Sequence, residues 1–127
     1  METRLHQQDL HQLFTQWVKN LTFYKEELAV LKNRLSEIAK ANNQPEILSM
    51  VEHFQNAFIR QSEIIDILKH DVNVEEDALI QKIKEHPVAS DHVLYEHPTD
   101  LIERNNTFDQ LFKDLKTEFE HFLSKTL

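Results

Sequence analysis

LHQLFTQWVKNLTFYKEELAVLKNRLSEI, residues 10–38, decides the fold class. Its apolar residues Leu10, Phe14, Trp17, Leu21, Tyr24, Leu28, Leu31, Leu35 and Ile38 recur in alternating steps of four and three without a miss. Steps averaging about 3.5 residues hold side chains on one face of an α-helix, whereas a strand needs alternation at every second residue. The spacing predicts one helix over residues 4–40, roughly 55 Å long at ~1.5 Å per residue. A helix so far beyond the usual length of about 11 residues needs partners of similar length.

Two further seams supply them. ANNQP at 41–45 predicts the end of the first helix, with Asn42 or Asn43 in the left-handed turn that glycine commonly takes and Pro45 in the first turn of the next helix. The second seam is Ile47, Val51, Phe54, Phe58, Gln61, Ile65 and Leu68, broadened by Met50, Ala57 and Ile64. Beyond His70 the spacing is expected to lose register, with Val72, Leu79, Ile80 and Ile83 fitting only after a shift. The helix is expected to run to about Lys84, continuous or kinked, absorbing a stutter; the alternative is a break near Asn73, where Asn73 and Glu76 could cap a new helix. The third seam, Leu101, Asn105, Phe108, Phe112, Leu115, Phe119 and Phe122, predicts a helix over 98–125 opened by Pro98, Thr99 and Asp100. HPVASDHVLYEH at 86–97 is too long for a tight link, so it is expected to wrap over the open end and bury some of Val88, Val93, Leu94 and Tyr95. The whole reads as one all-α domain over 1–127, an elongated antiparallel up-down-up three-helix bundle with coiled-coil-like heptad packing.

Composition narrows the function. The 127 residues include no glycine, which argues against hairpin-rich sheets and glycine-rich phosphate loops, and no cysteine, which removes disulfides, thiolate metal sites and cysteine nucleophiles. Fourteen basic against 22 acidic residues leave a net charge of −8, opposed to nucleic-acid phosphates and anionic lipid surfaces. The charge divides unevenly, at +1 over residues 1–41, −5 over 42–86 and −4 over 87–127. METRLHQQDLHQ lacks the apolar run of a secretory signal, and no stretch approaches the ~18 apolar residues of a membrane span, so a cytoplasmic location is expected.

Three sets of residues could carry function. The seams place polar residues mid-bundle, with Gln61 level with Tyr24 and Asn105 close by. A buried amide left unpaired costs about 1–3 kcal/mol, so Gln61 and Asn105 are expected to bond each other, the Tyr24 hydroxyl or a water, and to specify register. A small polar ligand pocket there is the sharper alternative. Histidine is the second set. The layout is expected to carry His6, His11, His70, His86, His92 and His97 toward one end among carboxylates, which could hold a metal or respond to pH. No pair of imidazoles is spaced one turn apart, however, and scattered solvated histidines are the plainer reading. Glu118 and His121 form a single E-x-x-H, a unit that di-iron bundles use twice; with no second copy it reads as an exposed i, i+3 pair. Ser36, Ser49, Ser62, Ser90 and Ser124 stand in no nucleophile motif, so no catalytic residue and no cofactor is expected. The third set is apolar surplus: Phe23 and Val30 on the first helix, Ile64 and Ile67 on the second. These either widen the core stripe or form a docking surface for another helix.

VEHFQNAFIRQSEIIDILKHD (51–71) and HPVASDH (86–92) resemble segments of an uncharacterised family of small bacterial helical-bundle proteins. The resemblance covers most of the chain and implies an all-α fold without implying any activity, cofactor or ligand residue. The long-helix, acidic, glycine-free character is also similar to spectrin-like repeats and to secretion or flagellar chaperones, by architecture alone. The function expected is a non-enzymatic helical module acting through a protein partner or self-association. The alternative is a metal-binding or pH-responsive bundle.

Overall fold

A computed structural model describes residues 4–85 and 94–126. In chain order it contains β1 (Arg4–His6), α1 (Gln7–Ala41), α2 (Pro45–Glu85), β2 (Leu94–Glu96) and α3 (Thr99–Thr126). The three helices pack on one another as an all-α bundle, and cross-helix pairs give their directions. His11 meets Glu76 and Lys25 meets Asp66, so α1 and α2 are antiparallel. Asp71 meets Arg104 and His53 meets Glu118, so α2 and α3 are antiparallel, while Tyr24 with Asp109 and Glu27 with Lys116 set α3 parallel to α1.

The seams are buried as the spacing predicts. Every member of the first is buried except Tyr24, which is half-buried with its ring against Phe108 and Phe112. The heart of the bundle is a phenylalanine cluster in which the Phe119 ring lies 5.1 Å from both Phe54 and Phe58. Burying one such side chain contributes about 1.5–3 kcal/mol, so a handful of rings outweighs any single polar contact here.

The α1–α2 link differs from expectation. Asn42 is extended, at φ −130° and ψ 145°, and no described residue takes a positive φ. The asparagine ends the helix by another route, its Nδ2 donating to the Ile38 carbonyl at 2.9 Å and satisfying one of the acceptors that every helix C-terminus leaves open. Pro45 opens α2, where its missing N–H costs nothing.

The expected loss of register after His70 does not occur. α2 is continuous to Glu85, as the expected end near Lys84 has it, but Val72 and Leu79 are buried on the unshifted steps of four, three and four from Leu68. The charged residues at the intervening seam positions, Glu75 and Lys82, are exposed. Their placement follows from helix length. At 28 residues against 35 and 41, α3 is about 10–20 Å shorter than its neighbours and, among the described residues, leaves this end of α1 and α2 without a third helix. Seam positions that lack a third neighbour can carry charge.

A two-stranded ribbon fills part of that space, and α1 accordingly begins at Gln7 rather than at residue 4. β1 pairs antiparallel with β2 in the register Arg4↔Glu96, Leu5↔Tyr95, His6↔Leu94. The strands are remote in sequence, so no tight glycine hairpin is needed. Leu5 and Tyr95 pack on a second apolar cluster built from Leu10, Phe14, Trp17, Val72, Leu79 and Leu101. The expected wrapping of 86–97 is thus seen for Leu94 and Tyr95, both half-buried; Val88 and Val93 lie outside the described residues.

Candidate functional site

The facing sides of α2 and α3 hold an apolar surface groove. On α3, Arg104, Leu111 and Glu118 recur every seven residues and so share one side of the helix. Arg104 donates from Nη2 to Asp71 Oδ2 on α2 at 2.6 Å, and Glu118 Oε1 lies 3.2 Å from His53 Nε2 of α2. Leu111, midway between them, has no polar task. Two polar clasps therefore join the helices, with an apolar stretch between them.

That stretch opens as a groove of about 410 Å³. Its floor and lips are Ile64, Ile67, Leu68, Phe108 and Leu111, with Glu103, Arg104 and Thr107 toward one end. Leu68 and Phe108 are buried and belong to the main core, whereas Ile67 is 56 % exposed and Leu111 49 %. Large apolar side chains standing on the lips of a groove are the unusual feature, since singly scattered ones need no explanation.

The electrostatics are settled at the Asp71 clasp. The Arg104 hydrogen bond, and after it the His70 imidazole at 3.3 Å, hold the Asp71 carboxyl below the usual aspartate range. Arg104 is raised in turn, chiefly by its bond to Asp71, and also reaches Asp100 at 3.2 Å. Lys116 on α3 is raised mainly by its hydrogen bond to Glu27 of α1, 2.7 Å away. All of these are surface or half-buried pairs, which orient helices more than they stabilise them.

The residues singled out as an interaction set divide in two. Ile64 and Ile67 line the groove, but Phe23 and Val30, each 56 % exposed, lie on the outer side of α1 and have no part in its lining. Leu111 was missed because it falls one residue before Phe112, off the seam. Its i, i+7 relation to Arg104 and Glu118 was the available signal.

The buried polar set does not form a network. Asn105 is buried, yet its Nδ2 donates to the Leu101 carbonyl one turn back in its own helix at 2.8 Å. The Tyr24 hydroxyl donates to Asp109. Gln61 joins neither, and its Oε1 is buried without a partner among the described residues. The expected meeting of Gln61, Asn105 and Tyr24 is therefore corrected: Asn105 and Tyr24 each bond an acceptor on α3 instead.

The described histidines do not assemble either. His6 is exposed on β1, His11 lies 3.1 Å from Glu76, and His70 is six residues, about 9 Å, further along α2. His97 is half-buried before α3, while His86 and His92 lie outside the described residues. Among the described residues no three or more of His, Asp and Glu gather as metal ligands. Glu118 and His121 are exposed, but Glu118 serves the α2 clasp rather than its i+3 neighbour. No helix of the described residues is long and apolar enough to cross a membrane.

Comparison with protein-family models, with curated proteins and with solved structures finds no match.

Proposed function

We propose that this chain is a non-enzymatic helical module that acts by protein–protein contact, with the α2–α3 groove as its docking surface. The observation that carries the reading is the exposure of Ile67 and Leu111 on the lips of an apolar groove whose floor is core. An amphipathic helix laid along such a groove would bury its own apolar face between two helices, which is a common mode of helix recognition. The polar clasps at either end of the stretch would hold α2 and α3 at a fixed separation, so the groove is preformed and binding orders little of the receiving surface.

Native mass spectrometry of untagged protein purified gently from its own cells tests this. Wild type is expected to carry a stoichiometric protein partner or a second copy, and Leu111→Glu is expected to lose it while keeping its helical circular dichroism. Unchanged masses for Leu111→Glu and Ile67→Glu, with the partner still bound to both, would refute the groove as the docking surface.

A further inference from the structure

We propose that the β1–β2 ribbon is a strap that releases from the bundle as a unit, switching the end of the α1–α2 pair beyond α3 between a covered and a bare state while the three helices stay packed. The ledge it covers continues the seam that α3 occupies lower down. Leu10 and Phe14 of α1 and Leu79 of α2 are buried there with Ile83 packed on them, and α3, which starts at Thr99, reaches this cluster only through Leu101 and Ile102 of its first turn. The ribbon takes up part of the place that further turns of a third helix would fill.

The strap is held by little. Its strands bond to each other, and of their side chains Leu5 and Tyr95, both half-buried, are the ones packed on the cluster. None of Leu5, His6, Leu94, Tyr95 and Glu96 has a side-chain hydrogen bond or ion pair among the described residues, and no backbone bond among them ties β2 to a helix. The seat is also incompletely filled. A cavity of about 260 Å³ is lined by Tyr95 and Pro98 from the covering chain and by Leu10, Phe14 and Leu79 from the helices, and a gap of this kind forfeits the dispersion contacts that would grip the strap.

Release leaves the rest of the fold standing. The cluster under the strap and the main core around Phe54, Phe58 and Phe119 share no buried residue, so the rings that join the three helices keep their neighbours when the ribbon lifts. The ledge is also suited to exposure. Glu75 and Lys82, exposed beside Leu79, line the same cavity, so release bares apolar residues interrupted by charge instead of a continuous apolar strip. Segments with few buried contacts and no polar anchor are those that open below the global unfolding free energy. The ribbon is thus an intramolecular cover over a second apolar surface, separate from the α2–α3 groove.

The chain has no cysteine, so single introduced thiols report the switch. Leu10→Cys and Leu79→Cys each place one beneath the strap, from opposite helices, and Ile65→Cys places one in the main core; all three positions are buried. Each full-length variant is treated with an aromatic disulfide reagent in native buffer, and its rate is divided by that of the same thiol in the urea-unfolded chain. The two thiols under the strap are expected to share one normalised rate, at least about a hundred-fold above that of Ile65→Cys, with a weaker urea dependence because lifting the strap exposes little surface. Adding Phe119→Ala should accelerate Ile65→Cys and leave the other two unchanged, since it destabilises the strapped and strap-open states alike. Equal normalised rates and urea slopes at all three positions would mean that the strap opens only with the whole bundle, and overturn the proposal. Fast reaction at only one of Leu10→Cys and Leu79→Cys would mean fraying of a single helix, and overturn it as well. Should either variant lose the wild-type circular dichroism, Phe14→Cys reports from the same cavity.

Discussion

Replacing Gln61 by leucine should stabilise the protein. Gln61 occupies a seam position between Phe58 and Ile65, both fully buried, and its Oε1 is buried with no hydrogen-bond donor among the described residues. An unsatisfied buried acceptor costs about 1–3 kcal/mol, and leucine of similar size removes it while adding apolar contact. Because part of the Gln61 side chain reaches solvent, the gain belongs at the low end, about 1–1.5 kcal/mol. A chain of 127 residues has an unfolding entropy of about 0.27 kcal/mol per kelvin, so Tm should rise by about 4–6 °C. Urea unfolding followed by helical circular dichroism would read the same gain as a higher midpoint at unchanged slope. An unchanged or lower midpoint would refute the reasoning, and would mean that an ordered water or a shifted rotamer already satisfies the amide.

Phe119→Ala removes a fully buried ring with two aromatic neighbours at 5.1 Å and should cost about 3–5 kcal/mol, lowering Tm by about 11–18 °C in calorimetry. Leu79→Ala should cost about 2–4 kcal/mol while Glu75→Ala changes stability by no more than about 0.5 kcal/mol; equal effects in urea melts would contradict an unshifted seam. Asp71 has a depressed pKa in the folded state, so its ion pair contributes stability above the unfolded aspartate value and loses it as pH falls through the folded one. Asp71→Asn should therefore lose at most about 1 kcal/mol at neutral pH and converge on wild type in strong acid, as measured by unfolding midpoints across the acid range.

The helices were legible because each depends on a pattern repeated many times. Leu10 to Ile38 repeats the alternation of four and three four times, so one ambiguous residue cannot hide it. Features that depend on a single choice were not legible. Asn42 had two ways to end α1, a left-handed turn or a side-chain bond to Ile38, and composition does not distinguish them. Asn105 could reach across the core or back to its own helix, and the backward bond to Leu101 is local and always within reach. Strands of three residues, as in β1 and β2, are too short to display a period. The register at Val72 and Leu79 was misjudged because Glu75 and Lys82 were weighed as core positions, when the shortness of α3 leaves them at the surface. For the groove, Ile64 and Ile67 were visible as surplus apolar residues. Their neighbour Leu111 needed the pairing of α2 with α3, which two clasps settle and no single helix reveals.

The β1–β2 ribbon carries a consequence for the order of folding. α1 and α2 are joined by three residues and meet through contacts whose sequence separation grows outward from that link, so they can zip together early as a helical hairpin. The pairing of Leu5 with Tyr95 closes a loop of about ninety residues and gains little until the hairpin and α3 stand in place. The ribbon is therefore the last element to form and the first to open. Substitutions at Leu5 or Tyr95 should speed unfolding while leaving the refolding rate nearly unchanged. Amide hydrogens of the Leu10–Phe14 turn should exchange through an opening cheaper than global unfolding, while those around Phe58 and Phe119 exchange only with the whole bundle.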